Sequence, residues 1–62
     1  MNNQIQELRK KQNLSQDKLA KLCSVSRQTI NAIENNKYDP TLQLAFKLAN
    51  VLNSTVDELF HP

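Results

Sequence analysis

The stretch Ser15–Glu34, SQDKLAKLCSVSRQTINAIE, decides the fold of this 62-residue chain. It contains two short segments with apolar residues at helical spacing, and residues 23–25 (CSV) separate them. In the second segment Ile30 and Ile33 lie three positions apart, so both fall on one side of a helix. The stretch therefore predicts two short helices that pack against each other across a tight turn.

The outward face of the second helix is polar. With Ile30 and Ile33 inward, Gln28 and Asn31 point outward, and Arg27 flanks them at the N-terminal end. Gln and Asn amides can pair bidentately with adenine, and Arg with guanine. The alternative is that this polar face contacts only solvent and binds no partner. An ordinary solvent-exposed helix face, however, more often carries Glu–Lys pairs. The face thus favours contact with base edges in a DNA major groove. The predicted base contacts are Arg27, Gln28, Asn31 and Ala32.

Five helices are predicted in a compact all-α fold that forms one domain over residues 1–62. Ser15, Ser26 and Thr41 are the expected N-caps of the second, third and fourth helices. The segment Thr55–Glu58 has the spacing of a capping box and opens a short fifth helix. The predicted spans are Asn3 to Gln12, Gln16 to Cys23, Arg27 to Asn35, Leu42 to Leu52, and a last helix that ends near Phe60.

Composition excludes several classes of protein. The single cysteine, Cys23, cannot form an internal disulfide and is expected to be a small buried apolar residue. Neither Cys/His spacing for a metal nor a nucleophile–base set is present, so no metal, cofactor, small-molecule ligand or catalysis is expected. No apolar run approaches the roughly 20 residues of a membrane span, which favours the cytoplasm. The net charge of +2 supports nucleic-acid binding only weakly.

The fourth predicted helix is apolar over an unusually wide arc of roughly 220° at about 100° per residue. A core stripe there consists of Ala45, Leu48, Ala49 and Leu52, and Leu42 is expected to join it. Either the fifth helix and the loop at Tyr38 cover the remaining apolar flank, or a second protein chain does, and the two are compatible. The residues predicted at a homodimer interface are Leu44, Val51, Val56, Leu59 and Phe60.

These features together resemble the lambda-repressor-like, Cro-type helix-turn-helix regulators of the XRE family. The resemblance rests on LSQDKLAKLCSVSRQTINAIE, NNKYDPTLQLAFKLANVL and STVDELF, and it covers Ile5 to Phe60. The chain looks most like the short, stand-alone bacterial members. Where the family often has glycine, this chain has Ser24, Asn36 and Asn53. Asn accepts a left-handed backbone more readily than Ser does, so the turn at Ser24 departs most from the family pattern.

The resemblance also implies roles for individual residues. Gln16 matches a phosphate-binding Gln, and Ala20 matches the small residue where the two helices cross. Arg9 and Glu34 match an ion pair that ties the first helix to the end of the recognition helix. Helix N-termini at Ser15 and Thr41 suit phosphate independently of the family. The full set of predicted DNA phosphate contacts is Ser15, Gln16, Ser26, Thr29, Asn35, Lys37, Tyr38 and Thr41.

The expected function is sequence-specific regulation of transcription through double-stranded DNA. One short domain suggests a homodimer on a near-palindromic operator, with repression by blocking polymerase as the simplest mechanism. Two alternatives remain. An antitoxin would combine the same DNA binding with a toxin partner, and a protein–protein interaction module would use the helical fold without DNA.

Overall fold

A computed structural model of the chain describes residues 2–61, which form five helices and two short strands. The predicted all-α fold with five helices is confirmed, and the helices end within one or two residues of the predicted positions. No helix in this range is long and apolar enough to cross a membrane. The elements are β1 (Asn2–Asn3), α1 (Ile5–Lys11), α2 (Gln16–Leu22), α3 (Arg27–Glu34), α4 (Leu42–Val51), α5 (Val56–Leu59) and β2 (Phe60–His61).

A hydroxyl side chain begins each helix from α2 to α5. In each case the side-chain oxygen accepts a hydrogen bond from the backbone N–H three residues later, at 3.0–3.2 Å. Such a bond satisfies one of the N–H groups that a helix start leaves without a partner. Local sequence therefore fixes where these helices start. The capping residues are Ser15, Ser26, Thr41 and Thr55.

Left-handed residues follow helices α1 to α4. After each one, the next N–H bonds to the carbonyl five positions back, as in a Schellman motif. None of the four residues is glycine: they are Asn13 (φ 57°), Ser24 (φ 60°), Asn36 (φ 60°) and Asn53 (φ 54°). The turn between α2 and α3 thus has the left-handed geometry that suits glycine, with serine in that position.

The core lies where α2, α3 and α4 meet. Leu19, Ile30 and Leu48 are fully buried, and Ala20 at 2% exposure lets α2 and α3 approach closely. Ile5 and Leu59, also fully buried, belong to the same core. Thirteen buried apolar residues form one cluster, so a single core stabilises the helix pair that carries the polar face.

Two predictions about the apolar residues of α4 and α5 are wrong. Leu42, expected in the core, is 69% exposed because it occupies the first position of α4, beyond the reach of the core. Leu59 is fully buried within the monomer, so it cannot lie at a dimer interface as predicted. Leu44 and Phe60, each 8% exposed, also serve mainly the monomer core. Only Val51 and Val56 of the predicted interface set are half-exposed.

A two-stranded antiparallel sheet, absent from the sequence-based prediction, joins the two ends of the described chain. Asn2 pairs with His61 and Asn3 with Phe60, and the Gln4 N–H extends the pairing to the Leu59 carbonyl at 2.9 Å. Two-residue strands are too short to show the alternation that identifies a strand in a sequence.

Candidate nucleic-acid interface

The outward surface of α3 meets the start of α2 in a shallow depression. Gln16, Arg27, Gln28 and Asn31 line it. The last three are exposed, as predicted base contacts need to be, and Ala32 beside them is partly buried. Amide and guanidinium groups are the side chains that read base edges in the major groove. The structure therefore brings three predicted base contacts and one predicted phosphate contact to one surface.

A buried ion pair lies behind this surface. The Arg9 Nε–H donates to Glu34 Oε2 at 2.7 Å, and Arg9 Nη2 donates to Glu34 Oε1 at 3.3 Å. The two side chains are only 9% and 2% exposed. Arg9 Nη1 also donates to the Leu14 carbonyl at 2.9 Å. The pair thus joins the end of α1 to the last residue of α3. Removing one partner of a buried, hydrogen-bonded pair is strongly destabilising, because the other charge is left buried without compensation.

Glu34 also holds Gln16, which sequence reasoning missed. Gln16 Nε2 donates to Glu34 Oε1 at 2.9 Å. An amide has two N–H groups and a carbonyl oxygen, and this bond uses only one of the N–H groups. The two residues are 18 positions apart on different helices, so no local pattern signals the contact. Glu34 therefore orients a side chain of the depression while its charge is balanced by Arg9.

The C-terminal end of α3 is braced by the N-terminal strand. Asn3 Nδ2 donates to the Ile33 carbonyl at 2.8 Å and to Asn36 Oδ1 at 3.2 Å. Asn36 Nδ2 in turn donates to Asn2 Oδ1 at 3.2 Å. Carbonyls in the last turn of a helix have no partner within the helix, so an amide that reaches one fixes the helix end. The mini-sheet and α3 are thereby connected through side chains.

Gln16 lies in the depression described above, and the other seven predicted phosphate contacts fall into three environments. The helix caps Ser15 and Ser26 are exposed, as is Lys37. The Asn35 side chain instead donates to the Asn31 carbonyl at 2.8 Å and to Asn31 Oδ1 at 3.3 Å, so it is engaged within α3. The remaining three converge on one cleft, which is lined by Thr29, Tyr38 and Thr41.

Two α4 residues of that cleft were not selected from the sequence. Gln43 and Lys47 complete its polar lining together with Ser24 of the turn, and Cys23 lies at its apolar side. The exposed face of an amphipathic helix ordinarily carries such residues, so nothing in the sequence marked them. Burial raises the pKa of the Cys23 thiol, and the nearby Lys47 ammonium opposes this in part. Cys23 is 1% exposed, which agrees with a neutral packed thiol.

Comparison with known proteins identifies the family of this architecture. The helix-turn-helix family profile HTH_3 matches residues 5–59. The HTH-type transcriptional regulator MJ0272 of Methanocaldococcus jannaschii is 48% identical over 60 residues, which are 97% of this chain and 91% of that protein. YgzD of Bacillus subtilis, also an HTH-type transcriptional regulator, is 38% identical over the same shares of the two chains.

Solved structures agree in fold. SinR in the SinR protein/SinI protein complex superposes with a TM-score of 0.81 at 31% identity, over 90% of this chain and 56% of that one. The clp gene regulator ClgR of Corynebacterium glutamicum gives 0.79 at 17% identity, over 84% of this chain and 55% of that one, and shares the fold. This chain thus spans just over half of each solved chain. From the profile match and the identities to full-length relatives, the chain belongs to the XRE-type helix-turn-helix family and is a DNA-binding transcriptional regulator, not an enzyme.

Proposed function

We propose that this protein is a cytoplasmic repressor that binds a near-palindromic operator as a homodimer. The observation that supports this most is the exposed surface of α3, where Arg27, Gln28 and Asn31 stand together without an exposed acid. Glu34 is the single acid on α3, and its side chain is 2% exposed and paired with Arg9. A phosphate-rich partner therefore meets neutral and cationic groups on this face.

A dimer is expected because one recognition helix contacts too few base pairs to specify a site. A single recognition helix contacts only a few base pairs, and a genome offers very many competing sites. Two-fold symmetry doubles the reading surface and places the half-sites about 34 Å, one helical turn, apart. A short regulator then represses by occupying the site that polymerase needs.

An apolar groove between α4 and α5 is the surface that we assign to the dimer. Pro40, Leu42 and Val56 line it, with Ala45 and Phe60 at its base. Leu42 exposes 69% of its surface there, an unusual exposure for a leucine beside other apolar groups. The groove retains Val56 and Phe60 from the interface predicted by sequence and adds Leu42, and an isologous contact would pair it with the same groove of the second copy.

Selection of bound duplexes from a random-sequence pool, followed by sequencing, tests the operator. We expect enrichment of an inverted repeat with half-site centres about 10 base pairs apart. Enrichment of an asymmetric site, or of no sequence at all, would count against the proposal.

Substitution of Leu42 tests the interface. Leu42→Asp removes apolar surface that is already exposed, so the monomer should fold and sediment as a monomer while losing most of its operator affinity. Leu22→Asp is the matched control, because Leu22 is 49% exposed on α2 and does not line the groove. A Leu42→Asp protein that remains dimeric would place the interface elsewhere.

An antitoxin, with a protein partner in addition to DNA, is the second candidate. It is favoured by the solved complex of SinR with SinI, which shows a similar protein bound to a protein partner. Exposed Phe46, at 55%, offers apolar surface outside the groove for such a partner. Purification of the tagged protein from its own host distinguishes the candidates: a stoichiometric second polypeptide favours the antitoxin, and a pure homodimer favours the repressor.

A further inference from the structure

The cleft beside α3 is lined by side chains of the kind that bind phosphate. Its polar lining includes Thr29, Tyr38 and Thr41 with hydroxyl groups, Gln43 with an amide, and Lys47 with an ammonium group. No acid is among the residues that line it. A concave surface with one cation, several hydroxyl donors and no carboxylate suits a singly charged phosphodiester.

The cleft lies on the flank of α3 opposite Gln16. At about 100° per residue, Thr29 lies on one side of Gln28 and Arg27 on the other. Gln16 adjoins the Arg27 side, whereas the cleft adjoins Thr29. A helix in a major groove of about 12 Å width has a DNA backbone on each flank. With Gln28 in the major groove, Gln16 thus faces the DNA backbone on one side of the groove, and the cleft faces the backbone on the other side.

The hydroxyl groups of the cleft are held by the fold. Thr41 Oγ1 accepts the Leu44 N–H at 3.2 Å, which leaves its own O–H hydrogen to donate. The Thr29 and Ser26 hydroxyl oxygens lie 2.9 Å apart. These contacts fix two oxygen atoms before any ligand arrives, so less side-chain freedom is lost on binding.

We propose that Lys47 is a DNA-backbone contact, and that the cleft seats one phosphate of the operator between Lys47, Thr29 and Thr41. This assignment rests on the proposed operator binding. It adds Lys47, which is not among the predicted phosphate contacts and does not line the depression at Gln16. Lys47 lies one turn beyond Gln43 on α4, so a flexible four-carbon side chain reaches back to the cleft from the side.

The salt dependence of DNA binding tests the proposal. Neutralising one phosphate adds about 0.9 to the slope of log K against log salt concentration, or roughly eightfold in affinity between 1 M and 0.1 M salt. Lys47→Gln should lower the slope by that amount on the selected operator and on mixed-sequence duplex alike, with base preference unchanged. Lys11→Gln is the matched control: it removes the same charge from an exposed residue of α1, whose neighbour Gln12 bonds Leu52 at the opposite end of α4.

The outcomes separate this proposal from operator binding itself. If the wild-type protein selects an operator but Lys47→Gln keeps the full salt dependence of DNA binding, the Lys47 contact is overturned and the proposed operator binding is not. Equal decreases of the slope in Lys47→Gln and Lys11→Gln would show a general charge effect and would also overturn the Lys47 contact.

Inorganic phosphate is the second probe, and its binding is monitored by amide NMR shifts at Thr29 and Thr41. Saturation of the cleft by inorganic phosphate with no change of the DNA slope in Lys47→Gln would identify a free-anion site instead.

Discussion

Gln16 at the start of α2 and Glu34 at the end of α3 are joined by a hydrogen bond of 2.9 Å from Nε2 to Oε1. The same carboxylate accepts from Arg9 of α1, so one acid joins three helices at the edge of the surface proposed to face DNA. An acid near phosphates would ordinarily repel them. Here Arg9 balances its charge, and burial keeps it away from the ligand.

Base readout by Gln28 is the first prediction. Gln28→Ala should relax preference at one base pair in each half-site and cost about 1–3 kcal/mol of binding free energy. Competition binding against operators with single base-pair changes measures this. Lys37→Ala, a change at an exposed cation, should weaken binding to all sequences alike. Unchanged affinity and preference in Gln28→Ala would contradict the assigned docking of α3.

The Arg9–Glu34 pair should contribute more to stability than an exposed pair does. Arg9→Ala leaves a buried carboxylate without its cation, so we expect a loss of about 3–5 kcal/mol in the free energy of unfolding, against ~0–1 kcal/mol for an exposed pair. A double-mutant cycle with Glu34→Ala, measured by chemical denaturation, gives the coupling energy. Lys10→Ala, one residue along on the exposed side of α1, should change stability little, and near-zero coupling between Arg9 and Glu34 would refute the expectation.

Ser24→Gly should stabilise the protein. Ser24 has φ 60°, a left-handed conformation that costs roughly 1 kcal/mol for a residue with a Cβ. Glycine removes this strain but has more freedom when unfolded, so we expect a net gain below about 1 kcal/mol. Thermal unfolding of Asn53→Gly provides the comparison: Asn53 has φ 54°, yet asparagine tolerates it better, and the gain should be smaller. A larger gain at Asn53 would be inconsistent with strain at Ser24.

Ionisation of Cys23 should destabilise the protein at alkaline pH. Burial raises the pKa of this thiol above 9.0 in the folded state. The unfolded chain therefore loses its proton first, so the thiol's contribution is complete below pH 9.0 and decreases as pH rises through the folded-state pKa. Urea denaturation at several pH values should show a steeper alkaline decrease in wild type than in Cys23→Ala. Parallel curves would show that the thiol does not contribute.

Local signals made most of the fold predictable from the sequence. Hydroxyl caps such as Ser26 and the spacing of Ile30 and Ile33 act within one or two turns, so they could be recognised without the structure. The error at Leu42 has a physical cause: helical spacing extends the core stripe to the first turn of α4, but the core ends sooner. Periodicity describes one helix and not how far its neighbours reach.

The contacts within the candidate site were less predictable from the sequence, because they are long-range. The Arg9–Glu34 pair was expected only from family resemblance, and the Gln16–Glu34 bond was not expected at all. Lys47 and Thr29 lie on different helices, and only the folded chain brings them to one cleft. Residue type can suggest that a side chain suits DNA, but the three-dimensional arrangement decides which side chains act together.

The pairing of Asn2 with His61 has a consequence for the order of folding. This contact encloses nearly the entire chain, so its loop-closure entropy is the largest of any contact described here, and the helices that shorten the loop must form first. Asn3 also holds the last turn of α3 through the Ile33 carbonyl. We therefore expect the Asn3 contact to form late, after the helices and the Arg9–Glu34 pair, so that partly folded chains keep the ion pair at the end of α3 but lack this second hold.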